Sequence, residues 1–249
     1  MRDMIRAIFA SLACVLTFTS CSSVGVYSVQ SNSARLREAP SRIWVERFTA
    51  PLSAFQLGER SASEKRVLRD QIVGNLAQST AAHIRVHAAN ASVKGPTSKI
   101  ALGAWLVRGQ INRVDQGSRA LRAGIGLGVG RTEMRTSVSV FRVTESGLVP
   151  LLRFNTTGNS GLEPGAALGI ATGGASAAVA VANAGLGSIP GVSTDVDRTS
   201  YEIAAVLSVF LQQNGLLGSS RTAIQPNMRG QLPTTVNLNR AIPAPLRTQ

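Results

Sequence analysis

Apolar and polar residues alternate most plainly from Met134 to Val143. Met134, Thr136, Val138 and Val140 take one set of positions, and Arg135, Ser137 and Ser139 take the other. A period of two predicts a strand with one buried and one wetter face. Glu145-Ser146-Gly147 then supplies a turn, and Val149 to Thr157 returns as the hairpin partner. Ala104 to Val114 (AWLVRGQINRV) reads as another strand, closed by a Gln116–Ser118 turn. Ser41 to Phe48 reads as the first strand, with Ile43 and Val45 on one face and Trp44 and Phe48 on the other.

Two stretches carry a helical period instead. Ser61 followed by Glu64 has the form of a capping box, and Val67, Leu68, Ile72, Val73 and Leu76 repeat at helical spacing. The predicted helix spans 62–80, with Lys65, Arg66, Arg69 and Asp70 outward. A final helix is predicted from Thr194 or Asp195 to Asn214. Ile203, Val206, Leu207, Phe210 and Leu211 form its apolar face, Asp195 and Asp197 sit at its positive end, and Gly215 stops it.

The ends of the chain read differently. Arg2 and Arg6 precede an apolar run from Ala7 to Phe18, the pattern of an export signal over 1–20. Phe18-Thr19-Ser20-Cys21 resembles a bacterial lipobox, with Phe18 where Leu is usual. The resemblance implies cleavage before Cys21 and a palmitate-type lipid anchor on its sulfur; the alternative is an ordinary cleaved signal with an incidental cysteine. Cys14 lies within the signal, so an acylated Cys21 leaves the mature chain without a thiol or disulfide. Ser22, rather than an inner-membrane-retaining Asp, points to the periplasmic face of the outer membrane. Residues 21–41 are Ser-rich and read as a tether. Residues 219–249 hold four Arg, four Pro and no acid, and read as a disordered basic tail whose deletion should matter little.

Composition narrows the class further. The 249 residues are 44% hydrophobic and 16% charged, which excludes a wholly disordered polybasic chain. The formal net charge is +13, from 26 Lys+Arg against 13 Asp+Glu. Such a charge would suit nucleic acid in a cytoplasmic chain, but export and 4% aromatics argue against that partner, and anionic envelope polymers or lipid head groups fit the compartment better.

Glycine is concentrated in two patterns. Gly124, Gly126, Gly128 and Gly130 alternate with apolar residues, but Arg131 stands where a dinucleotide fingerprint needs its last glycine. That leaves a strand with one bare face or a glycine loop. Gly165, Gly169 and Gly173 repeat every four residues within the uncharged stretch 164–194. On a helix they form a glycine-zipper-like stripe for helix–helix or membrane contact; a packed hairpin and a loose Ala/Gly loop are the alternatives.

Catalytic candidates are few. On a helix His83 and His87 would share a face, without the Glu of a zinc-protease motif, and on a strand they would share it with Arg85, a poor neighbour for a cation; no serine elbow or P-loop occurs. The expectation is no enzyme, no cofactor and no metal.

The stretch Trp105 to Gly109, Asp115-Gln116-Gly117-Ser118-Arg119-Ala120-Leu121-Arg122, the alternating glycines and the 134–143 strand together resemble a bacterial lipoprotein family catalogued as domain of unknown function 4410. The likeness covers roughly 42–217 and implies a lipid-anchored mixed α/β domain with no established activity or active site. A weaker architectural likeness, to the lipoproteins of the curli secretion pore, supports assembly only. The expected architecture is α+β: residues 42–218 as a small mixed sheet with two amphipathic helices and an Ala/Gly-rich helical or hairpin insertion. The expected function is a non-enzymatic, outer-membrane-anchored periplasmic lipoprotein that binds or scaffolds another envelope component. A subunit of an oligomeric export or pore complex is the alternative. The expected partners are the membrane through the anchor and either a second copy or an envelope protein, with no nucleic acid.

Overall fold

A computed structural model of the chain describes residues 24–32, 36–117, 132–160, 192–230, 233–236 and 238. The export signal, Cys21, the alternating glycines and the stripe of Gly165, Gly169 and Gly173 all lie outside these residues.

The predicted hairpin is the centre of the sheet. β6 (Thr132–Thr144) and β7 (Gly147–Ser160) pair antiparallel along their whole length, closing at Thr144↔Gly147. β5 (Trp105–Asp115) pairs antiparallel with the other edge of β6. β2 (Ile43–Val45) lies parallel to β5, and β4 (Ala91–Val93) lies parallel to β2. The short β3 (Phe55–Gln56) pairs with the far end of β5. β1 (Gly25–Asn32) runs antiparallel to β7, and β8 (Thr234–Val236) runs parallel to β1. The mixed sheet is therefore ordered β4-β2-β5-β6-β7-β1-β8, and with two helices it makes the expected α+β fold.

α1 (Ala62–His87) begins where its capping box predicts. Ser61 Oγ accepts the Glu64 N–H at 3.3 Å, and Glu64 Oε2 accepts the Ser61 N–H at 2.9 Å. The helix outruns the predicted end by seven residues, because the buried small run Ser79 to Ala82 and then Ile84 continue to face the core. Val67 is 56% exposed, so the buried face starts at Leu68 and Ile72 instead. α2 (Val192–Gln213) ends before Gly215, whose φ of +69° is favoured by a residue without Cβ. Both helices pack on one face of the sheet and along each other. Ile72, Leu76, Ile84, Ile203 and Leu207 meet Val107, Ile111, Met134, Val138 and Phe154 there. Among the described residues, no helix is long and apolar enough to cross a membrane.

Three expectations are corrected. Phe48 joins Ile43 and Val45 in the core, not Trp44. Glu46 N–H donates to Val107 O, but the next bond to that strand, at Gly109 O, comes from Thr49 N–H. One residue more than parallel pairing requires is thus inserted, and the side-chain alternation inverts. The presumed tether contains β1, with Val24, Val26 and Val29 buried. The presumed disordered tail is docked as far as it is described. Val26 N–H donates to Asn227 O at 2.8 Å, Arg229 N–H donates to Val26 O at 2.7 Å, and Leu238 is 1% exposed. Backbone pairing of this kind needs no apolar period, which is why composition alone misread both ends.

A buried glutamate beside the docked tail sets a pH dependence. Burial pushes the Glu202 carboxyl on α2 up to about 7, against the opposing pull of the Asn227 N–H and of Arg229. Its proton is therefore held more tightly in the folded state. The stability it contributes is fully present below the ordinary value of 4.5 and is lost as pH rises through about 7. With allowance for partial solvent access, the loss is on the order of 2 kcal/mol. Glu202→Gln should remove this component. The check is the urea midpoint of wild type and variant at pH 5 and pH 8; parallel pH profiles would contradict the assignment.

Candidate functional site

The sheet face opposite the helices is built from the alternate residues of the three central strands. On β5 these are Leu106, Arg108 and Gln110; on β6, Ser137, Ser139 and Phe141; on β7, Arg153 and Asn155. Register aligns them into rows perpendicular to the strands. Arg108 pairs with Ser139, and Ser139 with Arg153. One step along, Gln110 pairs with Ser137, and Ser137 with Asn155. Neighbouring strands lie about 4.8 Å apart, so each row spans roughly 10 Å, and successive same-face residues are about 7 Å apart.

These rows line a groove of about 500 Å³, walled on the β2 side by Glu46, Arg47 and Thr49. The inserted residue after Val45 is what brings this wall up beside β5. Arg108 Nε donates to Glu46 Oε2 at 2.6 Å, and Lys94 Nζ stands 3.6 Å from Glu46 Oε1. The Arg108 guanidinium also lies 5.7 Å from the centre of the Phe141 ring. Phe141 is 5% exposed and packs on Leu106, Trp44, Ile100 and Leu148. That small apolar cluster caps one end of the groove and holds the arginine in place. Ser137 Oγ accepts the Asn112 side-chain N–H at 2.7 Å. The Arg47 side chain donates to Asp70 O at 2.9 Å and stands 3.8 Å from the Asp70 carboxylate. Arginines, hydroxyls and amides, with Glu46 on the wall, form a lining that can both donate and accept hydrogen bonds.

The two histidines lie on the other side of the sheet, at the helix–helix contact. His83 Nε2 is 3.0 Å from Asp197 Oδ1, and its ring is 1% exposed. His83 stacks with His87 at 6.3 Å and meets Tyr201 edge-on at 5.5 Å. Burial and the neighbouring His83 hold His87 below the ordinary histidine value. Asp195 reaches across to accept the Thr132 hydroxyl at 2.7 Å. The acids assigned to the helix terminus are thus tertiary ties as well. Among the described residues, no three His, Cys, Asp or Glu side chains gather as metal ligands.

Of the positions singled out in the sequence, Cys21 and the glycine stripe lie outside the described residues. The groove residues were not foreseen. Their signal was the wetter face of the 134–143 strand, repeated as Arg108-x-Gln110 and Arg153-x-Asn155. Its meaning as a site depends on three strands being aligned.

The sequence profile of the family described as Domain of unknown function (DUF4410) matches residues 24–181. No curated protein matches the chain significantly. Among solved structures, the PelC dodecamer from Paraburkholderia phytofirmans is 9% identical, with a TM-score of 0.34 over 71% of this chain and 97% of that one. A Xanthomonas campestris protein assigned to DUF330 is 10% identical, with a TM-score of 0.34 over 75% of this chain and 98% of that one.

Proposed function

The chain belongs to the DUF4410 family, and on that premise we propose that it is a non-enzymatic lipoprotein of the outer membrane whose sheet groove binds another envelope component. The observation that carries the reading is the groove itself: about 500 Å³, lined by arginine, serine, glutamine and asparagine side chains, on the face that no helix covers among the described residues. Binding sites are concave and combine a few oriented polar groups, and this groove combines two rows of them. The FTSC segment after an apolar run supports the anchor on Cys21 and the periplasmic address. A two-signal arrangement results, in which the lipid holds the chain at the membrane and the domain presents its groove to the periplasm.

Two variants test the two halves separately. Cys21→Ala should release the protein from membranes and remove the lipid mass; continued membrane association without that mass change refutes the anchor. A photo-crosslinking residue at Ser139, in the groove, should give an adduct in living cells. The same residue at Val67, exposed on the outer side of α1, should give none. Equal labelling at both sites, or none at Ser139, refutes the groove as the working surface.

A further inference from the structure

We propose that the end of the sheet where β1 begins lies against the phospholipid surface, seated there by the shortness of the chain that joins it to Cys21. The inference rests on the lipid anchor at Cys21 and adds which end of the domain meets the membrane. Cys21 is three residues before Val24, and extended chain covers at most about 11 Å over that separation. Val24 belongs to the fold and not to a tether. Its side chain is 2% exposed, and its carbonyl accepts the Asn227 side-chain N–H at 2.8 Å. An acylated Cys21 therefore holds the membrane surface within about 11 Å of this point.

Strand direction fixes what else stands at that end. Gly25 pairs with Thr157, Thr132 with Ser160 and Glu133 with Asp115, so β1 and β6 start where β5 and β7 finish. α2 starts there too, since Asp195 accepts the Thr132 hydroxyl. β3 finishes beside Asp115, and the exposed Gly58 and Glu59 follow it. The described chain breaks off at Gly117 and Ser160 and resumes at Thr132 and Val192, all at this same end. Of the sequences between, 118–131 holds three Arg and no acid, and 161–191 holds one charge, Glu163. Neither brings a run of acids that a phosphate-bearing surface would repel.

The described side chains there are charged but paired. Arg113 stands 2.8 Å from Asp115 and 3.1 Å from Glu133, and Arg135 Nε donates to Glu133 at 2.5 Å. Such pairs remain solvated among phosphate and ammonium headgroups but would be costly to carry into hydrocarbon. This end of the sheet therefore rests on the headgroups and does not enter the bilayer. The other end of the hairpin, where Thr144 pairs with Gly147, is out of reach of the anchor at about 40 Å along β6. With the β1 start downward, Ser139 lies seven residues along β6 from Thr132, and the groove opens sideways roughly 23 Å above the membrane.

The test uses the full-length lipidated protein in vesicles of phosphatidylethanolamine with a minority of phosphatidylglycerol and a spin label on the headgroup. With Cys21 acylated, a fluorophore goes to a single introduced thiol. Glu59→Cys, at the seated end, should lose most of its fluorescence to the spin label. Ser146→Cys, in the turn about 40 Å away, should keep it. Both positions are exposed, and melting temperatures equal to wild type confirm that the variants fold. A flexible Gly/Ser insert of about 12 residues between Ser23 and Val24, with a reach of about 20 Å, should restore most of the Glu59→Cys fluorescence while the protein stays on the vesicles. Retention on vesicles with equal quenching at the two positions, or with none at either, overturns the seated end and leaves the anchor standing. Quenching at Glu59→Cys that survives the insert also overturns it, because the short connection is then not what seats the domain. Loss of both the lipid mass and vesicle retention removes the anchor, and the seated end with it.

Discussion

A chain ending at Gly218 should unfold roughly 10 °C below the full-length protein, reversing the expectation drawn from the composition of its tail. Ile224 N–H donates to Ser208 Oγ at 3.1 Å, and Asn227 N–H donates to Glu202 Oε2 at 2.8 Å. Asn227 Nδ2 donates to Val24 O at 2.8 Å, and the Val26 backbone exchanges bonds with Asn227 and Arg229. At about 1 kcal/mol net apiece, these five bonds contribute on the order of 5 kcal/mol. Burial of Leu238 adds about 2 kcal/mol, and the cost of ordering the segment offsets part of the sum. A net loss of about 3 kcal/mol corresponds to roughly 10 °C for a chain of this size. Truncation would also strip the outer edge of β1 and uncover Glu202. A chain ending at Leu238 retains all of these contacts and should melt with the full-length protein. Matching melting temperatures for the Gly218 and Leu238 truncations would mean that the tail is not part of the fold.

Gly109→Leu is expected to cost about 3 kcal/mol or more, which for a domain of ordinary stability is a large share of the total. Gly109 sits in the middle of β5 with its α-carbon under the ring of Phe48, and a Cβ added there would overlap Phe48 Cε1 and Cδ1. Phe48 is 2% exposed and part of the core cluster, so it has little room to move. A glycine inside a strand marks such a close approach. Gly109→Ala should cost about 2 kcal/mol and Phe48→Ala about 3 kcal/mol. The double variant should cost clearly less than their sum, because removal of the ring opens the space that the methyl needs. Denaturant midpoints of the four proteins give the cycle, and strict additivity would show that the two positions do not meet.

The legible part of this molecule was the part written in short-range patterns. The alternation from Met134 to Val143, the Glu145-Ser146-Gly147 turn and the return strand predicted a hairpin that the sheet contains, with one register shift between Val140 and Phe141. Ser61 and Glu64 predicted a helix start, and both capping bonds are made. Each of these depends on residues only a few places apart, so sequence alone carries the whole interaction. Of the site, the sequence disclosed only that one face of the 134–143 strand is polar. Arg108, Ser139 and Arg153 become a row because two strand pairings align them, and no local pattern records that alignment.

What the sequence determined by itself was therefore the α+β class, the central hairpin, the two helices and the turns that stop them. These follow from periodicity, capping and glycine conformational freedom, all of which act within a few residues along the chain. The tertiary structure decided the rest. One inserted residue after Val45 turned Phe48 inward against Gly109 and stood Glu46 beside Arg108. Backbone pairing drew both apparently structureless ends, Gly25–Asn32 and Thr234–Val236, into one edge of the sheet. Packing of α1 on α2 turned His83 and Asp197 into a partly buried pair. The physical reason is common to all three. Ladder register and burial are set by partners distant in sequence, and main-chain N–H and C=O groups are the same at every residue, so they leave no trace in composition or period.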